Sequence, residues 1–273
     1  MKNKISAISE KLFPSLMDFC KKIIQTPSLS GQEASVAKLI SEEMQKLGYD
    51  EVFTDEWGNV IGIVKGSEAG PTIMYNGHMD TVPIGDLSSW GEYDPYGAEI
   101  DQSVMQNPLT GNDEKAEVIH GRGSGDLKCN LASQIYAGAI LIELRRQGIN
   151  FAGNFLLTAV VLEENGEMMG TIKLCEETLP NNDVDAMVCC EPSSLRIMLG
   201  HRGRMEIRVT ISGRSCHGSS PWLGINAVEK SAKFIVAVQN MFENKTLEDP
   251  FLGKSGIALT MYHCEPNELC IVP

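Results

Sequence analysis

TIMYNGHMD, residues 72–80, decides how the rest of the chain is read. An apolar-rich run ends at Gly77, and a histidine and a carboxylate, His78 and Asp80, follow at once. A strand with a polar tip is the repeating unit of open α/β sheets, in which ligands sit beyond the carboxyl ends of the strands. The same unit occurs twice more. FLLTAVVLEE (155–164) runs into Glu163 and Glu164, and AMVCCE (186–191) runs into Glu191. Both runs are apolar apart from Thr158, as expected of strands buried on two faces.

Working outward, helical segments separate these strands. LKCNLASQIYAGAILIELRRQG (127–148) has the length and apolar content of a helix and closes on Gly148. Residues 5–24 read as a helix. Ser30 followed by Glu33 reads as a capping box that opens a second helix running to Leu47 and stopped by Gly48. VFTDEWGNVIGIVKG (52–66) reads as two short strands about a turn at Gly58-Asn59. Residues 83–117 form a long surface connection with room for a small hairpin, and 167–178 read as a further helix. The alternation predicts an α/β domain with a parallel or mixed sheet over 1–199.

Near residue 200 the pattern changes. RGRMEIRVTISG (202–213) alternates as a strand, INAVEKSAKFIVAVQNMFEN (225–244) is a helix, and GIALTMYHCEPNELCIVP (256–273) offers one strand and the start of another. A partial α+β domain is expected over 200–273.

Composition bounds the function classes. Apolar residues make up 42% and charged residues 22%, a globular balance. Net charge is -13, from 23 basic and 36 acidic residues. With no long basic block, nucleic acid is not an expected partner. No apolar stretch is long enough to span a bilayer, and the first 20 residues, interrupted by Lys11 and Asp18, do not read as a signal peptide. Eight cysteines without a CxxC pair suit a reducing compartment, so a cytoplasmic location is expected.

The strand tips carry the chemistry. Asp80 is placed to orient His78, although a His-x-Asp pair alone is more often an ordinary loop pair. Asp126, in GRGSGDLK (121–128), reads either as an N-cap or as a carboxylate aimed at a ligand by a tight glycine-rich path. A phosphate loop is discounted, because the GxxxxGK[ST] pattern is absent and an aspartate would repel phosphate. Glu163 and Glu164 point to opposite sides of an extended chain, so one could ligate while the other activates water. Solvated strand ends are the plain alternative for these two and for Glu191. Taken together, one imidazole and three carboxylates suit zinc, with cobalt or manganese possible. His217, in a turn of the second region, reads as a surface histidine or as a donor to an oxyanion. His120, His201 and His263 have weaker contexts, and Cys129, Cys189 and Cys190 read as small apolar groups.

GHMDTVP (77–83), GRGSGDLK (121–128), LEENGE (162–167) and CCEPS (189–193), followed by GHRGRMEIRV (200–209) and GRSCHGSSPWLGINAVEK (213–230), resemble the metal-dependent aminoacylase, deacetylase and carboxypeptidase family. That family includes acetylornithine deacetylase and succinyl-diaminopimelate desuccinylase. Within it, GDLSSW (85–90) and GHRGRMEI are most similar to the branch linked to selenium metabolism.

The resemblance implies a zinc-peptidase-like mixed sheet with a ferredoxin-like lid or dimerisation domain, and two divalent ions. His78, Asp126 and Glu191 would hold one ion. Asp126 would bridge to the second, which Glu164 also binds. Glu163 would be the general base, Asp80 would support His78, and a cis peptide would follow Asp126. His217 would reach the partner subunit's site in a homodimer. Substrates would be N-acylated amino acids or small peptides, with Arg202 or Arg204 facing a carboxylate.

Two departures from the family pattern stand out. Cys129 and Asn130 occupy positions usually held by glycine, where added bulk or a lost positive φ is expected to disturb the aspartate loop. The family's last histidine ligand falls beyond Pro273, so weak occupancy of the second ion and little hydrolase activity are expected of this polypeptide alone. A non-catalytic binding scaffold, or one half of a split hydrolase, are the competing readings.

Overall fold

A computed structural model describes residues 1–107, 110–165, 168–181, 184–245, 247–266 and 268–273. The chain forms two compact units, Met1–Arg196 and Ile197–Pro273.

The first unit opens with two helices, α1 (Lys2–Ile24) and α2 (Ala34–Leu47). Gly48 ends α2 in the left-handed region at φ 94°, where only glycine sits without strain, and its N–H donates to Met44 and Gln45 carbonyls. Strands β1 (Glu51–Thr54), β2 (Val60–Lys65) and β3 (Glu68–His78) follow. The long connection holds an antiparallel hairpin, β4 (Ile100–Gln106) with β5 (Asp113–Ile119). After it come α3 (Cys129–Arg146), β6 (Ala152–Val160), the short helix α4 (Met169–Lys173) and β7 (Ala186–Cys189). The expected helix over 167–178 is cut to α4 and a wider turn ending at Thr178; Glu167 lies outside the described residues.

Five strands form one sheet in the order β1-β2-β6-β3-β7. β1, β2 and β6 pair antiparallel, whereas β3 runs parallel to both β6 and β7. This mixed sheet is the one the sequence predicts. Its parallel part has a functional consequence, because the carboxyl ends of β3, β6 and β7 lie on one side: His78 is in register with Val160, and Asn76 with Cys189.

Both faces of the central strands are covered. Phe155, Leu157 and Ala159 of β6 join the core under α1, α2 and α3, while Leu156 and Val160 pack on the opposite face with Leu174. Burial on two sides explains why β6 from Phe155 to Val160 is apolar except at Thr158. β7 does not follow that reasoning. It lies at the sheet edge and all four of its residues are exposed, which corrects the expectation of a buried strand. An apolar run has the composition of an edge strand or a central one alike, and only the pairing order separates them.

The second unit contains α5 (Ala227–Lys245) and two small ladders. In one, β9 (Glu248–Asp249) pairs with β10 (Gly253–Lys254); in the other, β8 (Cys216–His217) pairs with β11 (Ile271–Val272). The strand expected over 202–213 is not formed, and of the strand and start of another expected in 256–273 the described residues form only β11. Alternation selects a face for a strand but supplies no ladder partner, and hydrogen-bonded partners are what make a strand. No described helix is long and apolar enough to cross a membrane.

Candidate active site

The site is built where β3, β6 and β7 end. His78 is the last residue of β3 and is fully packed, so its ring has little freedom. Its Nδ1 is 2.9 Å from the Asp80 carbonyl and 3.5 Å from the Asp80 carboxylate. With Nδ1 engaged, Nε2 is turned toward three other carboxylates: Asp126 at 3.2 Å, Glu163 at 3.9 Å and Glu191 at 3.9 Å. Oxygen atoms of Asp126 and Glu191 and a ring nitrogen of His78 all lie within 4.8 Å of one another.

Asp126 arrives by an irregular turn, Ser124–Lys128, in which Asp126 and Leu127 leave helical geometry and the Asp126–Leu127 peptide is cis. The residue that caps α3 is Lys128, so Asp126 is not used as an N-cap. Gly77 lets this turn close on the strand tip, because a Cβ there would collide with the Cys190 thiol and Leu127.

Charge explains the titration behaviour. Burial alone would lower the His78 pKa. The Asp80 hydrogen bond and the charges of Glu191, Asp80 and Glu163 outweigh it and raise the pKa from 6.5 to about 9. Burial would likewise raise Asp80, but hydrogen bonds from His78, from Ser30 and from the Glu163 and Glu164 amides hold it at about 2. Glu191 and Glu164 are both pushed up by burial first and by the charge of Asp126 next.

Several residues complete the site that the sequence reading had placed elsewhere or passed over. Ser30 and Glu33 do not form a capping box. Ser30 donates to Asp80 Oδ2 at 2.6 Å, and Glu33 accepts from the Gly31 and Leu162 amides at 2.9 and 3.1 Å. Asp80 in turn accepts from the Glu163 and Glu164 amides at 3.1 and 3.0 Å. Segment 28–33 thus clasps two strand tips, and Ser28 adds a 2.7 Å bond to the Met79 carbonyl. Nothing local in the sequence marks this use, because the partners lie some 50 to 129 residues away.

The glycine replacements also differ from expectation. Cys129 has φ -70°, ordinary helical backbone, so no positive φ is lost there. Asn130 donates to the carbonyls of Gly125 at 3.0 Å and Cys190 at 3.1 Å. It therefore ties the residue before Asp126 to the residue before Glu191.

The remaining candidates have the following partners. His120 stacks on Tyr93 at 3.8 Å and bonds Asp101 at 3.1 Å beside the hairpin. Glu164 is not in the group of His78, Asp126 and Glu191, but its charge interacts with those of Asp126 and His78. In the second unit, His217 sits on the two-residue strand β8 rather than in a turn, exposed, with Ser219 Oγ 2.8 Å from its Nδ1. Arg202 donates to the Lys254 carbonyl at 3.1 Å, and Arg204 pairs with Glu206 at 3.0 Å. His263 pairs with Glu265. Gly166 and Glu167 of the LEENGE motif lie outside the described residues.

The donor set fits a borderline-soft divalent cation. A buried imidazole with its far nitrogen fixed by a carboxylate, beside two or three carboxylates that repel one another without a counter-charge, is the arrangement of a zinc-type ligand shell. Fold and site together define a mixed-sheet α/β protein with a group of possible metal ligands at the strand tips.

The comparisons place it more closely. Residues 74–260 match the model of Peptidase family M20/M25/M40, and the chain belongs to that family, whose members are hydrolases. It is 34% identical over 256 residues to the uncharacterized protein YgeY of Escherichia coli K12, covering 93% of this chain and 57% of that protein. It is 27% identical over 241 residues to a succinyl-diaminopimelate desuccinylase of Hahella chejuensis, covering 85% and 57%. The chain thus spans a little over half the length of these curated relatives. Among solved structures, a putative aminohydrolase from methicillin-resistant Staphylococcus aureus superposes with TM-score 0.55 at 19% identity, over 92% of this chain and 61% of that one. Human carnosine dipeptidase 1 superposes with TM-score 0.53 at 17% identity, over 69% and 40%.

Proposed function

We propose that this protein hydrolyses the amide bond of N-acylated amino acids or small peptides with the help of divalent ions, zinc being the best match to the ligands. The gathering of His78, Asp126 and Glu191 within 4.8 Å, with Glu163 beside them, carries this reading. The names of the desuccinylase and dipeptidase relatives support the substrate class.

His78, Asp126 and Glu191 would hold the first ion. Asp126 and Glu164 would hold the second, more weakly, since it has two proposed donors against three and one of the two is shared. Bound there, the ions would supply Lewis acidity to the amide carbonyl and make water a stronger acid. Glu163 takes the proton of the attacking water and returns it to the leaving amine. Asp80 fixes the His78 ring, and Ser30, Glu33 and Asn130 hold the segments that carry the carboxylates. His217 would donate a hydrogen bond to the developing oxyanion in a homodimer.

The decisive test is Glu163→Gln in the purified protein, assayed on a panel of N-acyl amino acids and dipeptides with metal content measured in parallel. Turnover is expected to fall by roughly 10²–10⁴ with the first ion retained. Unchanged turnover would overturn the assignment of the base. Titration with zinc should show one tight and one weaker ion.

A further inference from the structure

The first unit holds a second concave surface, a cavity of about 550 Å³ between one side of α2, the turn joining β1 to β2, and residues 161–162 after β6. His78, Asp126, Glu163 and Glu191 do not line it. Its floor is apolar, with Ala37 and Val161 buried there. Trp57 forms a wall, and its ring is fixed. Nε1 donates to Glu177 at 2.7 Å, and the Lys173 ammonium lies 5.1 Å from the ring centroid. With that N–H engaged, the ring offers carbon surface to the cavity. The α2 side is lined by Ala34 and Ala37, whose short side chains leave space that longer ones would fill.

One buried carboxylate faces this space. Glu33 is only 5% exposed, and the two amides that it accepts from, those of Gly31 and Leu162, both bond Oε1. Oε2 has no hydrogen-bond partner among the described residues. It is not one of the fully enclosed unpartnered atoms, which among those residues are Thr81 Oγ1, Arg122 Nε and Gln134 Oε1. Oε2 therefore opens on the cavity that Glu33 lines. Lys38 and Glu42, also lining it, lie 3.8 Å apart and offset each other's charge. Glu33 is thus left without a cation among the described residues, and a carboxylate oxygen so placed gains from any donor that reaches it.

We propose that this cavity binds a small organic ammonium ion, a protonated amine carried on an apolar body. Glu33 Oε2 accepts an ammonium N–H in a charge-assisted bond. The apolar body lies between Trp57 and the alanines of α2. A neutral alcohol of the same shape keeps the apolar contacts and loses the charge pairing, whereas the Glu33 charge repels an anion. The proposal goes beyond the amide hydrolysis described above and does not depend on it. The two places are joined through one side chain, because Oε1 of the same carboxylate holds the Leu162 amide, one residue before Glu163. A bound amine would brace that clasp.

The test is calorimetric titration of the full chain with phenethylamine, alongside 2-phenylethanol and 3-phenylpropionate as its neutral and anionic counterparts. One amine should bind per chain, roughly tenfold tighter than the alcohol, with no binding of the anion. Glu33→Gln should bring the amine down to the affinity of the alcohol. If that variant folds poorly, Trp57→Ala at the half-exposed wall decides, and it should weaken amine and alcohol alike by roughly fivefold. Asp126→Asn should leave the titration unchanged. An amine bound no tighter than the alcohol would overturn the proposal, as would full affinity in both Glu33→Gln and Trp57→Ala. So would loss of binding in Asp126→Asn, which would place the amine among the strand-tip carboxylates.

Discussion

The two units contrast in how their apolar residues are used. In Met1–Arg196, helices and sheet enclose two apolar clusters, with Ile23, Ile135, Leu131 and Leu157 completely shielded. In Ile197–Pro273, the only buried hydrophobic residue among those described is Val272, and Ile197, Leu199, Met205 and Trp222 are largely exposed. Both regions have sequences patterned for burial. What separates them is partners. β6 has neighbours on both edges and cover on both faces, whereas the alternating residues 202–213 pair with no strand. Patterning states which side of an element should be hidden, and only a second surface can hide it.

The largest effect that can break or confirm this contrast is on stability. Ile135→Ala should cost about 3 kcal/mol in denaturant unfolding, by lost transfer energy and the cavity left behind. Trp222→Ala, 75% exposed in the second unit, should change stability by no more than about 0.5 kcal/mol. Equal costs at the two positions would mean that the second unit is packed as well as the first.

The next effect concerns how the first unit holds its ligands. Asn130→Ala removes both bonds joining the Asp126 turn to the end of β7, and should weaken zinc binding by roughly tenfold with little change in secondary structure. Competition with a chromophoric chelator reads this directly. An unchanged affinity would show that the two segments are held without the clamp.

Proton release on zinc binding should locate the metal ligands in the first unit. The metal-free His78 has a pKa of about 9, above its ordinary 6.5, so the imidazole is protonated at neutral pH and must lose its proton to bind a metal. Zinc affinity should therefore rise with pH toward 9. Without metal the sign reverses: the stability from the charged imidazole is full below 6.5 and is lost as pH rises through about 9. Calorimetry in buffers of differing ionisation enthalpy should show protons released on zinc binding, strongly reduced in His78→Ala and unchanged in His217→Ala. Release that depends on His217 instead would move the ligand set into the second unit.

The smallest effect tests a surface pair. Arg145 bonds both oxygens of Asp50 at 2.8 and 2.9 Å, and it also donates to the Lys65 carbonyl at 2.7 Å. The Asp50 carboxyl is held below its ordinary value by the Arg145 hydrogen bonds, so the contribution is present at neutral pH and is lost as pH falls through the lowered pKa. Since the pair is partly exposed, Arg145→Ala should cost only about 0.5–1 kcal/mol at pH 7 and less in acid. A larger loss would mean that the edge of the sheet depends on this pair more than its exposure suggests.

Much of the first unit was legible before any tertiary information. Apolar runs ending in His78, Glu163 and Glu191, with helices between them, already determined an α/β sheet with its polar residues at the strand tips. Gly48 and Gly148 marked helix ends because local backbone geometry is a property of neighbouring residues, which the sequence contains in full. The α5 helix was legible for the same reason, since its hydrogen bonds close within the segment.

Only the tertiary structure decided the rest, and in each case the reason is a partner far along the chain. It made β7 an edge strand, left 202–213 unpaired, turned Ser30 and Glu33 from a local cap into a clasp on Asp80 and Leu162, and made Asn130 a bridge between two carbonyls 65 residues apart. Sequence order fixes what each side chain can donate, accept or bury. Which of those capacities is used depends on the surface folded against it.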